Sequence, residues 1–230
     1  MTFDKYNHAG AYHWRETDRR SRDYNPPLVA RYEVLLGTIR PGVTLDAGAG
    51  DGYLSSELAL RCSQVVAMEY EPAGAQLAAK MLAEFDNVAV LRGDARGLPF
   101  ESNTLDQVVM ADVIEHLEEP EVSVAEIARV MNPEGQFVLT TPMWRPDRMW
   151  DTRHVQEFRP EELTALLKSN FREVSLKFFW PLKWSNRYAT RLGWRLLKIA
   201  GRLGFNPFLE LSADPAGYGQ MLAIAREPVT

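Results

Sequence analysis

The chain has 230 residues, 46% of them hydrophobic, and a formal charge of −5 from 26 Lys and Arg against 31 Asp and Glu. That is enough apolar material for one full core, most simply a single α/β domain with additions. The acidic balance disfavours a nucleic-acid binder, the lone Cys62 excludes an internal disulfide and a cysteine metal cluster, and no run approaches the roughly 18 apolar residues that span a bilayer.

In chain order, MTFDKYNHAGAYHW lacks an apolar signal core, which predicts a soluble cytoplasmic protein. Residues 1–40 continue with an aromatic and basic stretch, Tyr12-His13-Trp14-Arg15 through Arg19-Arg20-Ser21-Arg22. Pro26-Pro27 and a helix with Leu28, Tyr32, Leu35 and Ile39 on one face follow. Strand-like runs at 43–47, 65–69, 88–92, 105–110 and 136–141 then alternate with helical patterns at 53–62, 73–84 and 121–130. Pro72 and a Pro133-Glu134-Gly135 turn punctuate the series. Such alternation predicts parallel strands joined by crossover helices, a doubly wound sheet.

Between the first strand and its helix lies Asp46-Ala-Gly48-Ala-Gly50-Asp51-Gly52. Glycines at alternate positions let a ligand approach the backbone, and the following helix presents unpaired N–H groups to a carboxylate or phosphate. A dinucleotide site wants G-x-G-x-x-G, and here the third glycine comes one residue early. Asp46 and Asp51 would repel a pyrophosphate but attract a cation. S-adenosyl-L-methionine, with a sulfonium, an ammonium, one carboxylate and no phosphate, suits that loop.

The motifs together resemble the class I S-adenosylmethionine-dependent methyltransferases, in the broad small-molecule group that includes the ubiquinone and menaquinone enzymes. The resemblance covers about residues 43–142, with a weaker echo at 154–171. It implies a Rossmann-like, mostly parallel seven-stranded sheet with two further strands near 172–179 and 219–226, the last antiparallel. It places Asp46, Gly48 and Gly50 at the cofactor, Glu69 on the ribose hydroxyls, Asp94 and Ala95 (in Gly93-Asp94-Ala95) at the adenine, and Asp112 (in LDQVVMADVIEHL) in the post-strand loop. Glu69 stands where many relatives carry Asp, and either can accept two ribose hydrogen bonds. The implied organisation is an N-terminal cap over the cofactor (1–40), a core (41–179 with 219–230) and a helical insertion forming a lid or acceptor region (180–218).

From Val174 through Leu209 the chain has no acid and seven cations, leaving −12 on the rest. At about 100° per residue, Arg187, Arg191, Arg195, Lys198 and Arg202 share one helix face, beside a stripe of Tyr188, Leu192, Leu196, Ile199 and Leu203. A solvated face over a core-facing stripe explains this pattern. So does an anionic partner: a diphosphate-bearing substrate, or peripheral membrane contact through 180–205 near Phe178, Phe179, Trp180 and Trp184.

For catalysis, His116 and His154 stand where the resemblance places the acceptor, each readable as a general base or as a structural histidine. Glu157 could pair with either histidine but reads first as an exposed charge at a helix start, and Asp106 reads as a structural cap. Tyr12, Trp14, Trp144, Arg187 and Arg191 are candidate substrate contacts. Trp144, Trp150, Trp180, Trp184 and Trp194 read first as packing and second as aromatic walls for a carbocation. His154-x-x-Glu157 lacks further identifiable ligands, so no metal is expected. The expected activity is O- or N-methylation of a small metabolite or sugar. C-methylation of a prenyl diphosphate or lipid-linked acceptor is the alternative, and a non-catalytic methyltransferase-like binding subunit is the reading from another class. Oligomeric state is not legible.

Overall fold

The computed structural model describes residues 5–146, 151–188 and 190–229. Three helices come first: α1 (Lys5–Ala9), α2 (Tyr12–Thr17) and α3 (Pro26–Leu36). Asn25 caps α3 by accepting from the Leu28 N–H at 3.3 Å, and Pro26 sits where a helix needs no donor.

The core then alternates β1 (Val43–Ala47), α4 (Tyr53–Ala59), β2 (Gln64–Glu69), α5 (Pro72–Met81), β3 (Val88–Arg92), β4 (Leu105–Ala111), α6 (Pro120–Val130) and β5 (Met131–Pro142). It closes with α7 (Pro160–Lys168), β6 (Phe171–Pro181), α8 (Leu182–Tyr188), α9 (Arg191–Arg202) and β7 (Tyr218–Pro228). One seven-stranded sheet results, in the order β3-β2-β1-β4-β5-β7-β6, with β7 antiparallel to both its neighbours. The central strands are covered on both faces, so Leu45, Val108, Val109, Phe137 and Val138 are all fully buried. The doubly wound, Rossmann-like architecture expected from the alternation is the one observed.

Element ends differ where local chemistry overrides periodicity. The first core helix stops at Ala59 and the second at Met81, each several residues short of its apolar pattern. The Pro133-Glu134-Gly135 turn is absorbed into β5, where pairing with β4 jumps from Leu105↔Met131 to Gln107↔Gln136. The short helix α7 was not read from the sequence. Pro160 opens it, the Arg159 N–H is capped by Glu162 Oε2 at 2.8 Å, and Leu163 and Leu167 bury one face.

The insertion departs most from expectation. Helix α9 docks through Leu197 and Gly201, and a Cβ at Gly201 would meet the Tyr24 ring at 2.9 Å. Lys198 Nζ donates to the Arg22 carbonyl at 2.7 Å, while Arg202 donates to those of Arg19 and Ser21 at 2.9 Å. Part of the basic face is therefore spent on the N-terminal loop, and the leucine stripe is not core-facing. Leu192, Leu196, Ile199 and Leu203 are 68, 58, 51 and 82% exposed. Each forgoes much of the roughly 1.5–3 kcal/mol that full burial returns.

Candidate functional site

A cleft of about 610 Å³ opens at the carboxyl ends of β1, β2 and β4. The chain leaves β1 toward β2 on one side and β4 lies on the other, so this is the switch point of the sheet, where doubly wound folds bind ligands.

The glycine loop forms its floor. Gly48, Gly50 and Gly52 hold φ of +89°, +59° and +82°, a region closed to most side chains. Their missing Cβ atoms serve the protein first: Val113 packs against Gly48, the Tyr6 hydroxyl against Gly50 and Leu82 against Gly52. The sequence reading gave that space to a ligand. Gly48 and Gly50 nonetheless line the cleft.

Asp46 also lines it, is 1% exposed and accepts from Ser55 Oγ at 2.6 Å. Burial pushes its carboxyl up to about 7. Its ionised form is thus short of a counter-charge, which suits a cationic ligand. Asp51, expected to draw a cation, is instead committed to the N-terminal segment. It accepts from the His13 backbone N–H and faces His13 Nδ1, both at 2.9 Å, while its carbonyl accepts from Trp14 Nε1 at 3.0 Å.

Glu69, at the end of β2, is 8% exposed. Its Oε2 accepts from the Gly50 N–H and its Oε1 from the Glu71 N–H, both at 2.8 Å, so the carboxylate is fixed with lone pairs to spare. Burial raises its pKa despite those bonds. Asp94 is held below the usual carboxylate range by a forked Arg96, whose nitrogens lie 2.7–3.1 Å away, and Ala95 is buried beside it. Asp112 takes a positive φ of +52°. Thr140 Oγ1 donates to its Oδ1, and Arg31 Nη2 lies against its Oδ2, both at 2.8 Å. These acidic walls fit a nucleoside that carries cations and no phosphate.

The sequence reading missed Tyr6, Arg31 and Glu115, which line the same cleft. The available signal for Arg31 was its spacing, three residues after Leu28 and four before Leu35, on the inward side of α3. Glu115 is fully buried, accepts from Thr141 Oγ1 at 3.0 Å through Oε2, and leaves Oε1 without a hydrogen-bond partner among the described residues. Burial, reinforced by neighbouring Asp112, lifts its pKa well above the ordinary value.

His116 and His154 come together at the mouth, their rings 4.9 Å apart and edge to face. His116 Nδ1 lies 2.9 Å from the Arg153 carbonyl, which can only accept, so Nδ1 carries the proton and Nε2 the lone pair. Burial lowers its pKa, favouring that neutral form. His154 Nδ1 lies 2.8 Å from Glu157 Oε1. Glu157 is only 4% exposed, correcting its reading as a surface charge. With Glu115, the two histidines bring ligand-type atoms within 4.8 Å of one another, a grouping hidden in the sequence because Glu115 precedes His154 by 39 positions.

The other candidates are dispersed. Tyr12 lines this cleft and a second, smaller one shared with Arg31 and Trp180. Trp14 packs behind the glycine loop, edge to face with Tyr53. Trp144 lies under the Arg159 guanidinium at 3.9 Å. Arg191 is exposed at the start of α9, and Trp150 and the Arg187 side chain fall outside the described residues. Trp180, Trp184 and Trp194 pack around Phe208 and Leu197, which supports packing over a carbocation wall. Asp106 accepts from the Val43 N–H at 2.7 Å and from Asn132 Nδ2 at 2.8 Å, bracing strand starts.

Comparison with known proteins bears on this geometry. Residues 45–139 match the family model described as a methyltransferase domain. A probable S-adenosylmethionine-dependent methyltransferase of Mycobacterium tuberculosis is 32% identical over 158 residues, covering 64% of this chain and 56% of that protein. The chain thus spans little more than half the length of that relative. Among solved structures, a chain of the complex between the Haloferax volcanii Trm112 methyltransferase activator and a methyltransferase superposes with a TM-score of 0.69 at 17% identity, over 96% of each chain. Haemonchus contortus phosphoethanolamine N-methyltransferase 2, in complex with S-adenosyl-L-methionine, superposes with a TM-score of 0.65 at 17% identity, over 95% of this chain and 56% of that one. At such identities the structures show the shared fold. No described helix is long and apolar enough to cross a membrane.

Proposed function

We propose that this chain, whose residues 45–139 match a methyltransferase domain, uses S-adenosyl-L-methionine to methylate an oxygen or nitrogen of a small metabolite or sugar. The observation that carries this reading is the pair His116 and His154 at the mouth of the acidic cleft, each with its Nδ1 engaged by an acceptor.

When bound, the cofactor supplies an electrophilic methyl group on a sulfonium. Glu69 would hold the ribose hydroxyls, Asp94 and Ala95 would serve the adenine, and Asp46, Asp112 and the Gly48–Gly50 backbone would serve the methionine end. The chain's remaining tasks are to position the acceptor, exclude water and take its proton. His154 is the better base, because a buried carboxylate on Nδ1 orients the ring and stabilises the imidazolium that forms at Nε2. His116 accompanies it as a neutral neighbour.

Residues 1–40 act as a cap in this reading, supported by Tyr6, Tyr12, His13 and Arg31 in the cleft wall. The 180–218 insertion contributes to the acceptor side, supported by Trp180, which shares the smaller cleft with Tyr12 and Arg31. Its acid-free run, together with Arg31 and Arg153 in the larger cleft, suits an anionic acceptor and keeps C-methylation of a prenyl diphosphate or lipid-linked acceptor as the second reading. Peripheral membrane contact through 180–205 would bring a lipid-linked acceptor within reach.

An acceptor screen scored by mass spectrometry tests the proposal. A hydroxyl or amine acceptor that gains the mass of one methylene, with the methyl located on oxygen or nitrogen, is expected. A methyl found on carbon supports the second reading. Full cofactor binding with no product from any acceptor class points to a non-catalytic binding subunit.

A further inference from the structure

We propose that α9 is an interfacial helix that docks this protein on an anionic lipid surface through its exposed leucine stripe. The sequence pattern suggested a basic face as the contact. The structure reassigns that role, because Lys198 and Arg202 are occupied by the carbonyls of Arg19, Ser21 and Arg22.

On α9, Leu192, Leu196, Ile199 and Leu203 fall within an arc of about 60° at roughly 100° per residue. The docked side, Leu197 and Gly201, lies across the helix from them. The stripe therefore points away from the protein, and Phe205, 61% exposed just beyond the helix end, extends it. Such a row of large apolar side chains on an otherwise well-packed domain marks an interaction surface.

Charge selects the occupant. Arg191 and Arg195 are exposed along one edge of the stripe, and no acid occurs from Val174 through Leu209. The 19–22 loop, tied to the same helix by the three bonds above, adds exposed Arg20 and Arg22. None of these four arginines has a carboxylate partner among the described residues. An apolar stripe bordered by cations, on a helix attached by its opposite side, is the arrangement of a helix lying in the headgroup plane of an anionic bilayer. A protein partner would need its own matching row of acids around an apolar groove, whereas an anionic leaflet supplies both at once.

The helix is bonded to the N-terminal loop, whose flanking helices place Tyr12 and Arg31 in both clefts. Docking would hold the smaller cleft, beside Trp180, close to the lipid surface, the position needed to draw an amphiphilic acceptor from a bilayer. The surface assignment stands on the helix alone and does not depend on which atom is methylated.

The test is flotation of the full chain with phosphatidylcholine vesicles, with and without a phosphatidylglycerol fraction, at low and physiological salt. Co-flotation is expected with the anionic vesicles only, weakening as salt shortens the screening length to about 8 Å. The double variant Leu192→Ser, Leu196→Ser, whose altered side chains are exposed and leave docking intact, should lose binding about tenfold or more. Arg191→Gln with Arg195→Gln should lose it in proportion to charge. Circular dichroism and S-adenosylhomocysteine affinity should be unchanged in both. Absence of flotation with anionic vesicles, or equal flotation of the leucine variant, overturns the proposal. So does sedimentation showing a dimer that the leucine variant abolishes, because a second copy would then own the stripe.

Discussion

Replacing His154 by Gln should lower turnover by roughly 10²–10⁴-fold, the usual contribution of a general base, while leaving cofactor affinity within a few-fold of wild type. The expectation rests on the His154 Nδ1 contact with Glu157 Oε1 at 2.8 Å, in a site where Glu157 is almost wholly buried. Glutamine keeps a polar group of similar reach but offers no basic nitrogen. Glu157→Gln should give a smaller loss, since it removes the charge that stabilises the imidazolium while an amide oxygen can still hold the ring. His116→Gln separates the two histidines: burial keeps His116 neutral and its Nδ1 is bound to a backbone carbonyl, so its loss should mainly disturb packing against His154. If the large fall follows His116 instead, the base is the other ring. If neither variant falls, neither of these two imidazoles is required to take the proton, as C-methylation with a base elsewhere would imply.

Glu69→Ala should weaken cofactor binding by about 1.5–3 kcal/mol, the range for hydrogen bonds to a charged group, or roughly 10- to 150-fold in Kd. The same carboxylate holds the Gly50 and Glu71 N–H groups. Truncation therefore also leaves two donors unpaired at the edge of the loop, and thermal unfolding must be followed in parallel. Glu69→Gln resolves the ambiguity, because it keeps one acceptor oxygen and nearly the same volume, and its affinity should fall between wild type and Ala. Wild-type affinity in a folded Glu69→Ala variant would move the ribose contact elsewhere.

Much of the core was readable because its signals are local. Glycines at 48, 50 and 52 mark a turn that only positive φ can make, and the alternating apolar runs locate five strands to within a few residues at most ends. Contacts between distant residues were not readable. Asp51 looks like a loop acid, and only the fold brings His13 to it across 38 positions. Glu157 offers a pairing with either histidine, but its burial and the choice of His154 appear only in the fold. Glu115 sits beside a recognised histidine, yet nothing local says that its carboxyl is enclosed with one oxygen unpartnered. The stripe on α9 shows the converse limit. Periodicity put Arg187 and Tyr188 on one helix with 191–203, whereas α8 ends at Tyr188 and α9 begins at Arg191. The side that meets the protein, Leu197 and Gly201, belongs to neither expected face, and the missing side chain of Gly201 lets the helix close on Tyr24.

The most direct measurement is isothermal titration of the purified chain with S-adenosylmethionine, S-adenosylhomocysteine and NAD. The buried acids of the switch-point cleft and its phosphate-averse glycine loop predict one site per chain for the first two ligands, with micromolar affinity, and no heat from NAD. Saturable NAD binding with no signal from either sulfur nucleoside would contradict the account at its base.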